Sequence, residues 1–183
     1  MKKALYLLPF LVVLFVLSVI AQQSGQDDGD GSRGTLVKFE GGIGVIPVAS
    51  GVGQAPTAEV VNRNIVRGVQ PAGQIWVISA LSANVKVDGR IHVDGRGLLL
   101  GGGNAIGFNG NASVFATLIC EAVAPFTERS TNPVGVALEP NGDFRIDDVL
   151  VPAPPLVCNS PVLLIRTTGG NRPWFAAGIP RQD

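Results

Sequence analysis

The chain has 183 residues, 46% of them hydrophobic but only 6% aromatic, and its 14 basic and 14 acidic residues cancel. So small a charge, evenly spread, excludes a nucleic-acid surface or a polybasic membrane patch. One Tyr, two Trp and one His in all weigh against a broad aromatic binding face, which draws its contact area from Tyr and Trp.

Residues 1–21 are predicted to be a signal peptide. Lys2 and Lys3 give a basic start, residues 4–20 an apolar run, and Val19-Ile20-Ala21 the small or branched residues that signal peptidase reads. An uncleaved anchor is the weaker reading, because the run lies near the short end of the roughly 17–25 residues a spanning helix needs. No Cys follows that could carry a lipid. Residues 22–34, polar and rich in Gly and Asp, read as a disordered linker. Cleavage would remove Lys2, Lys3 and the only tyrosine, Tyr6, leaving 12 basic against 14 acidic residues, a formal charge of −2. The predicted address is secreted, periplasmic or cell envelope, with no membrane span after cleavage.

Residues 35–183 make one domain, long enough to bury about two-thirds of its unfolded surface. Short apolar runs alternate with Gly, Pro, Asn and Asp, and no stretch keeps helical spacing for three turns. That pattern is all-β. Strands are predicted near 36–40, 43–48, 59–66, 74–81, 83–87, 90–93, 98–100, 113–120, 134–139, 143–150, 162–167 and 174–177. Residues 101–111 (GGGNAIGFNGN) and 152–161 read as long loops, the second fixed by four prolines and by Cys158.

Two hairpins can be argued to the register. With Val87-Asp88-Gly89 as a loop, Val85 meets Ile91 and Ala83 meets Val93, while Asn84, Lys86, Arg90 and His92 line the other face. With Pro140-Asn141-Gly142 as a loop and Gly142 left-handed, Leu138 meets Phe144 and Val136 meets Ile146. A two-residue Asn-Gly turn would instead mix core and solvent residues on one face, because a one-residue slip flips every side chain. The second Asp-Gly-Arg copy, Asp94-Gly95-Arg96, reads as a bulge or corner. Ten or so antiparallel strands, each with one apolar face, imply a β-sandwich of two packed sheets, with a β-barrel as runner-up.

Cys120 and Cys158 are the only cysteines. In an exported chain they favour a disulfide over a redox pair or metal site, for which neither a CxxC nor a neighbouring His is present.

His92, the only histidine, must serve any Ser-His-Asp or Cys-His arrangement. Alternation puts Arg90, His92 and Asp94 on one face, but no GxSxG and no free Cys marks a nucleophile, so a solvated strand face is favoured. Asp143 and Asp147, with Asp148 nearby, could flank a glycosidic bond as paired carboxylates; a solubilising outer face is again preferred. Residues 27–31 superficially resemble a calcium loop, but an EF-hand begun at Asp28 would place Arg33 and Phe39 where Gly and Glu are required. The glycine-rich loop 101–111 lacks the Lys-Ser/Thr and helix of a phosphate loop, and Ile106 and Phe108 on it form a candidate contact tip. Asn111-Ala112-Ser113 is a glycosylation sequon in a eukaryotic context only, and the Asp-Gly-Arg triplets are turn chemistry first.

The favoured reading is an exported, non-catalytic module without metal or cofactor, binding a protein or glycan partner through loops 101–111 and 152–161. One alternative is a secreted hydrolase using His92 with Asp94 and Arg90, or the Asp143/Asp147 carboxylates. Another is a subunit of an envelope assembly that pairs through an edge strand such as 174–177.

Overall fold

The computed structural model describes residues 34–50 and 61–181; the predicted signal peptide and the linker up to residue 33 lie outside them. Among the described residues there is no helix, and hence none long and apolar enough to cross a membrane. Thirteen strands are formed: β1 (Thr35–Gly44), β2 (Val48–Ser50), β3 (Val61–Arg63), β4 (Trp76–Val77), β5 (Ala80–Lys86), β6 (Arg90–Arg96), β7 (Leu99–Leu100), β8 (Ser113–Ile119), β9 (Arg129–Ser130), β10 (Val136–Ala137), β11 (Phe144–Val149), β12 (Val162–Thr167) and β13 (Trp174–Pro180).

The all-β class is as expected. Both hairpin loops also form as the side-chain period dictates. Val85 pairs with Ile91 and Ala83 with Val93, and Gly89 turns the loop at a φ of +87°. At the second hairpin Glu139 donates its N–H to the Asp143 carbonyl at 2.9 Å, and Gly142 donates to Glu139 at 2.8 Å. Gly142 has a φ of +83°, the left-handed geometry of a three-residue loop. Leu138, Phe144 and Ile146 are buried, but the expected pairing of Val136 with Ile146 is not formed, because β10 pairs with β8 and not with β11.

The architecture lies closer to the runner-up than to two separate packed sheets. One nine-stranded antiparallel sheet runs β10-β8-β12-β13-β1-β5-β6-β11, with β9 also on β8, and it curls until its ends nearly meet. β9 and β10 are two pieces of one interrupted strand along β8, opposite Thr117 and Leu118 and opposite Ser113 and Val114 respectively. Across the seam Ser130 and Val151 exchange backbone bonds of 3.0 and 2.9 Å, and the Glu139–Asp143 bond closes the other end. Between these clasps no ladder joins β10 to β11. Two small sheets, β2-β3 and β4-β7, complete the fold. The second is held against the main sheet by a Trp76 N–H bond to the Val45 carbonyl at 3.1 Å and by Trp76 stacked on Phe175, ring centroids 3.9 Å apart.

Three expectations are corrected. Asp94-Gly95-Arg96 is neither bulge nor corner: β6 runs straight through it, with Gly95 opposite Leu81 and Phe144. A glycine is needed there because the Phe144 ring lies across it, 2.2 Å from where a Cβ would sit. The segment 174–177 is not an edge, since β13 sits between β12 and β1. Strand β9 lies outside every predicted strand.

The core is lined by inward residues such as Phe39, Val85, Val93, Leu118 and Leu163. β8 and β12 are buried on both faces. Their outer face carries Phe115, Thr117 and Arg166, covered by chain rather than by a second sheet. The Arg166 guanidinium donates to Glu128 at 2.5 Å and sits 5.4 Å over the Phe115 ring. Phe126 and Cys158 pack against the core, and a Cys120–Cys158 disulfide ties the two covering segments together. Glu121 organises the first segment: its carboxylate accepts the backbone N–H groups of Cys120 and Thr127 and two bonds from Arg129, at 2.8–3.3 Å. The Arg129 bonds, helped by the backbone N–H groups of Thr127 and of Glu121 itself, hold the Glu121 carboxyl down at about 2.

Replacing Gly142 with Ala should cost about 2 kcal/mol or more, because its φ is left-handed and a Cβ would lie 2.6 Å from the Leu98 nitrogen; urea unfolding checks this. Reduction of the disulfide, which closes a separation of 38 residues, should cost about 3–4 kcal/mol in the chain-entropy model and lower the Tm measured with and without reductant. Glu121 titrates lower in the folded than in the unfolded chain, so its stabilisation is complete above its ordinary value of 4.5. It is lost as pH falls from there toward about 2. The urea midpoint should fall in that window, and less steeply in Glu121→Gln than in the native chain.

Candidate functional site

Alternation along β5, β6 and β11 points Leu81, Ala83, Val85, Ile91, Val93 and Ile146 into the core and sends the intervening polar residues outward. Their registers stack these into cross-strand rows. Lys38, Asn84, His92 and Asp147 form one row across β1, β5, β6 and β11; Glu40, Ser82, Asp94 and Arg145 form the next. Directly opposed residues lie about 4.5–5.5 Å apart at Cβ, so each row is a chain of touching groups.

A hollow of about 560 Å³ opens on this face, lined by Asn84, Lys86, Arg90, Ile91, His92, Asp147, Asp148 and Val149. His92 Nδ1 is bonded to Asp147 Oδ1 at 2.5 Å, and Arg145 Nε donates to Asp147 Oδ2 at 2.8 Å. The His92 bond, followed by that of Arg145, holds the Asp147 carboxyl below its ordinary value. Asp148 is spent on backbone: its two oxygens accept the N–H groups of Asn132 and Val149, each at 2.7 Å. Arg90 donates to Asp88 at 2.7 Å.

Two further hollows adjoin this one through Asp148. One, of about 230 Å³, lies at the unpaired stretch of the seam between Val136, Thr131 and Ile146. The other, of about 530 Å³, extends past Ser130 and Pro133 to Arg172. The seam side of the described molecule is thus concave. The turn 132–135 forms its lip, fixed by a Gly135 N–H bond to the Asn132 carbonyl and by the Asn132–Asp148 bond.

The sequence placed His92, Asp94 and Arg90 on one face, and the structure does so too. The carboxylate that orients His92, however, is Asp147 and not Asp94, which instead accepts from Arg96 at 3.3 Å. Among the described residues no serine, threonine or cysteine lines the His92 hollow. The Asp143/Asp147 pair is not brought together: Asp143 receives the Gly97 N–H at 2.9 Å and the Asn141 amide at 3.0 Å, closing the hairpin. It lines a different depression, beside Asp94 and Glu139. Ile106 and Phe108 are exposed, at 64% and 67%, on a loop tied at its base by Leu100–Phe108 and Gly107–Leu100 backbone bonds. No group of three or more His, Cys, Asp or Glu able to hold a metal occurs among the described residues.

The roles of Asn132 and Asp148 at the seam went unread in the sequence, as did the His92–Asp147 bond. Alternation shows that His92 and Asp147 face outward; it does not show that strands 50 residues apart are neighbours.

Replacing Asp147 with Asn should free Arg145 and leave His92 without its anionic partner. The unfolding midpoint should move little, since both partners are exposed and such pairs contribute about 0.2–1 kcal/mol.

No family model, curated protein or solved structure matches this chain.

Proposed function

We propose that the protein is an exported, non-catalytic binding module whose ligand lies along the seam side of the barrel. The observation that carries this reading is the convergence of three adjoining hollows on Asp148, beside the one stretch where the sheet fails to close on itself. Concavity with a few convergent polar groups is the usual mark of a small-ligand site. A basic, apolar-cored leader and a disulfide support an extracytoplasmic setting.

A binding role fits the groups at the seam better than hydrolysis does. An Asp147–His92 pair resembles the orienter and base of an acyl-transfer enzyme, but the hollow around it offers no nucleophile. The nearest seam hydroxyls are already engaged, Ser130 with Thr117 and Thr131 with the backbone of Ala116. The contact surface favoured from sequence alone, loops 101–111 and 152–161, gives way here to the strand face and the 132–135 lip.

The intact protein should retain particular members of a mixed glycan and peptide array. Val149→Asp, at a half-exposed position of the hollow, should reduce that retention about tenfold, while Phe108→Ser on the distant loop should leave it unchanged. Loss with Phe108→Ser and not with Val149→Asp would move the site to the loop tip. Turnover of an array member, abolished by His92→Ala, would replace binding with hydrolysis.

A further inference from the structure

Building on the binding reading, we propose that the hollow beside His92 takes a small organic carboxylate, its anionic end held between Lys86 and His92 and its body laid along Val149. The argument is one of unspent capacity. Each acid that borders the hollow is already satisfied from within the protein: Asp147 by His92 and Arg145, Asp148 by two backbone N–H groups, and Asp88 by Arg90. Two of the bordering cations are likewise committed, Arg90 to Asp88 and Arg145 to Asp147.

Lys86 stands apart. Its ammonium reaches only the Thr35 hydroxyl, at 3.3 Å, and no carboxylate of the described residues pairs with it. His92 uses Nδ1 on Asp147 and leaves Nε2 with no hydrogen-bond partner among the described residues. Asn84 lies directly opposite His92 and two residues from Lys86, so Lys86 and His92 are diagonal neighbours, roughly 7–8 Å apart along the backbone. A carboxylate taken by both donors would draw the Lys86 ammonium from the Thr35 hydroxyl on β1 toward His92. Asn84 offers an amide between them.

Charge selects among anions. One free positive charge, with a second available when His92 is protonated, matches a single negative group. A doubly charged phosphate is better served by arginine forks, and the two arginines here are already ion-paired through Nε with Asp88 and Asp147. Val149, 45% exposed, supplies an apolar wall for the remainder of the molecule, and about 560 Å³ is room for a body of sugar or short-acid size.

Binding carries a proton signature. To donate to the ligand, Nε2 must be protonated while Nδ1–H stays on Asp147, so each ligand bound to a neutral imidazole takes up one proton from solvent. Facing His92 are Asn84 and Lys86 of β5, Arg90 and Asp94 of its own strand, and Arg145, Asp147 and Asp148 of β11. Affinity should therefore rise as pH falls, until the ligand's own carboxyl protonates near pH 4.

The test is an NMR titration of the intact 15N-labelled protein with galacturonate, galactose and hexanoate. Galacturonate or hexanoate should shift the amides of Asn84, Lys86, His92 and Val149 saturably, and galactose should not. The stronger of the two acids assigns a sugar acid or an aliphatic acid as the natural class. Lys86→Met should weaken binding roughly tenfold, the loss of one charge-assisted bond, and Lys86→Arg should restore most of it. His92→Gln should flatten the dependence of affinity on pH between 8 and 5, a readout that a merely structural role would not move. Equal shifts with galactose, shifts elsewhere in the molecule, or none with either acid would overturn the carboxylate assignment. A neutral array ligand that still bound at Val149 would leave the binding module standing without it.

Discussion

A sheet edge presents N–H and C=O groups that must be paired or left to water, and in this chain that requirement falls on the seam between β9, β10 and β11. One strand's worth of sequence, residues 129–137, has to serve both β8 and β11. It pairs well with β8 at its two ends and breaks between them, where Asn132-Pro133-Val134-Gly135 turns outward. Closure is therefore made by clasps rather than by a ladder: the Ser130–Val151 exchange at one end and the Glu139–Asp143 hairpin bond at the other. Asp148 substitutes its side chain for the missing backbone partner of Asn132. The concave surface, the unpaired stretch and the polar lip all follow from that single break.

Local periodicity made the hairpins legible and left the closure hidden. Val85 opposite Ile91, and a three-residue loop at Pro140-Asn141-Gly142, follow from period-two alternation and the need for one apolar face, both properties of adjacent sequence. The order β12-β13-β1-β5 does not: it depends on which nonlocal edges find one another. That is why 174–177, last among the predicted strands, reads as an edge and yet lies at the centre of the sheet. Gly95 misled for a different reason. Its Asp-Gly-Arg context is turn chemistry, whereas its glycine serves a straight strand by making room for the Phe144 ring on the neighbouring β11. Strand β9 carried no signal, being two polar residues, Arg129 and Ser130, among Thr, Glu and Asn.

The same limit explains the site. Asn84, Lys86, Arg90, His92 and Asp147 could each be assigned to an outward face from their own strands, and His92 and Asp147 were each singled out. Their bond requires β6 and β11 to be neighbours in one particular register, a fact set by the seam and by the Phe144–Gly95 contact at the far end of the same ladder. A two-residue shift of that ladder would set Arg145 or Val149 against His92 instead. The site thus depends on packing in the core beneath it, through a glycine that touches none of its residues.

Among the described residues no second full sheet packs on the barrel, yet two of its strands are built for one. The runs Val114–Ile119 and Leu163–Ile165 are too continuously apolar for strands with one wet face, and such strands call for a layer on either side. The chain provides that outer layer without strands. Glu128 holds Arg166 over the Phe115 ring, Arg172 joins it there, and residues 120–128 are tied to 152–161 by the disulfide and organised by Glu121, whose carboxylate gathers Arg129 and two backbone N–H groups. Irregular chain has no ladder to satisfy its polar groups or to limit its freedom, so it must use side chains and covalent bonds for both. The Glu121–Arg129 and Glu128–Arg166 pairs and the two cysteines therefore belong to one solution. They do for the covering segments what hydrogen-bonded neighbours do for a strand, and they leave the opposite, four-stranded face of the barrel free to carry its polar rows and the hollow among them.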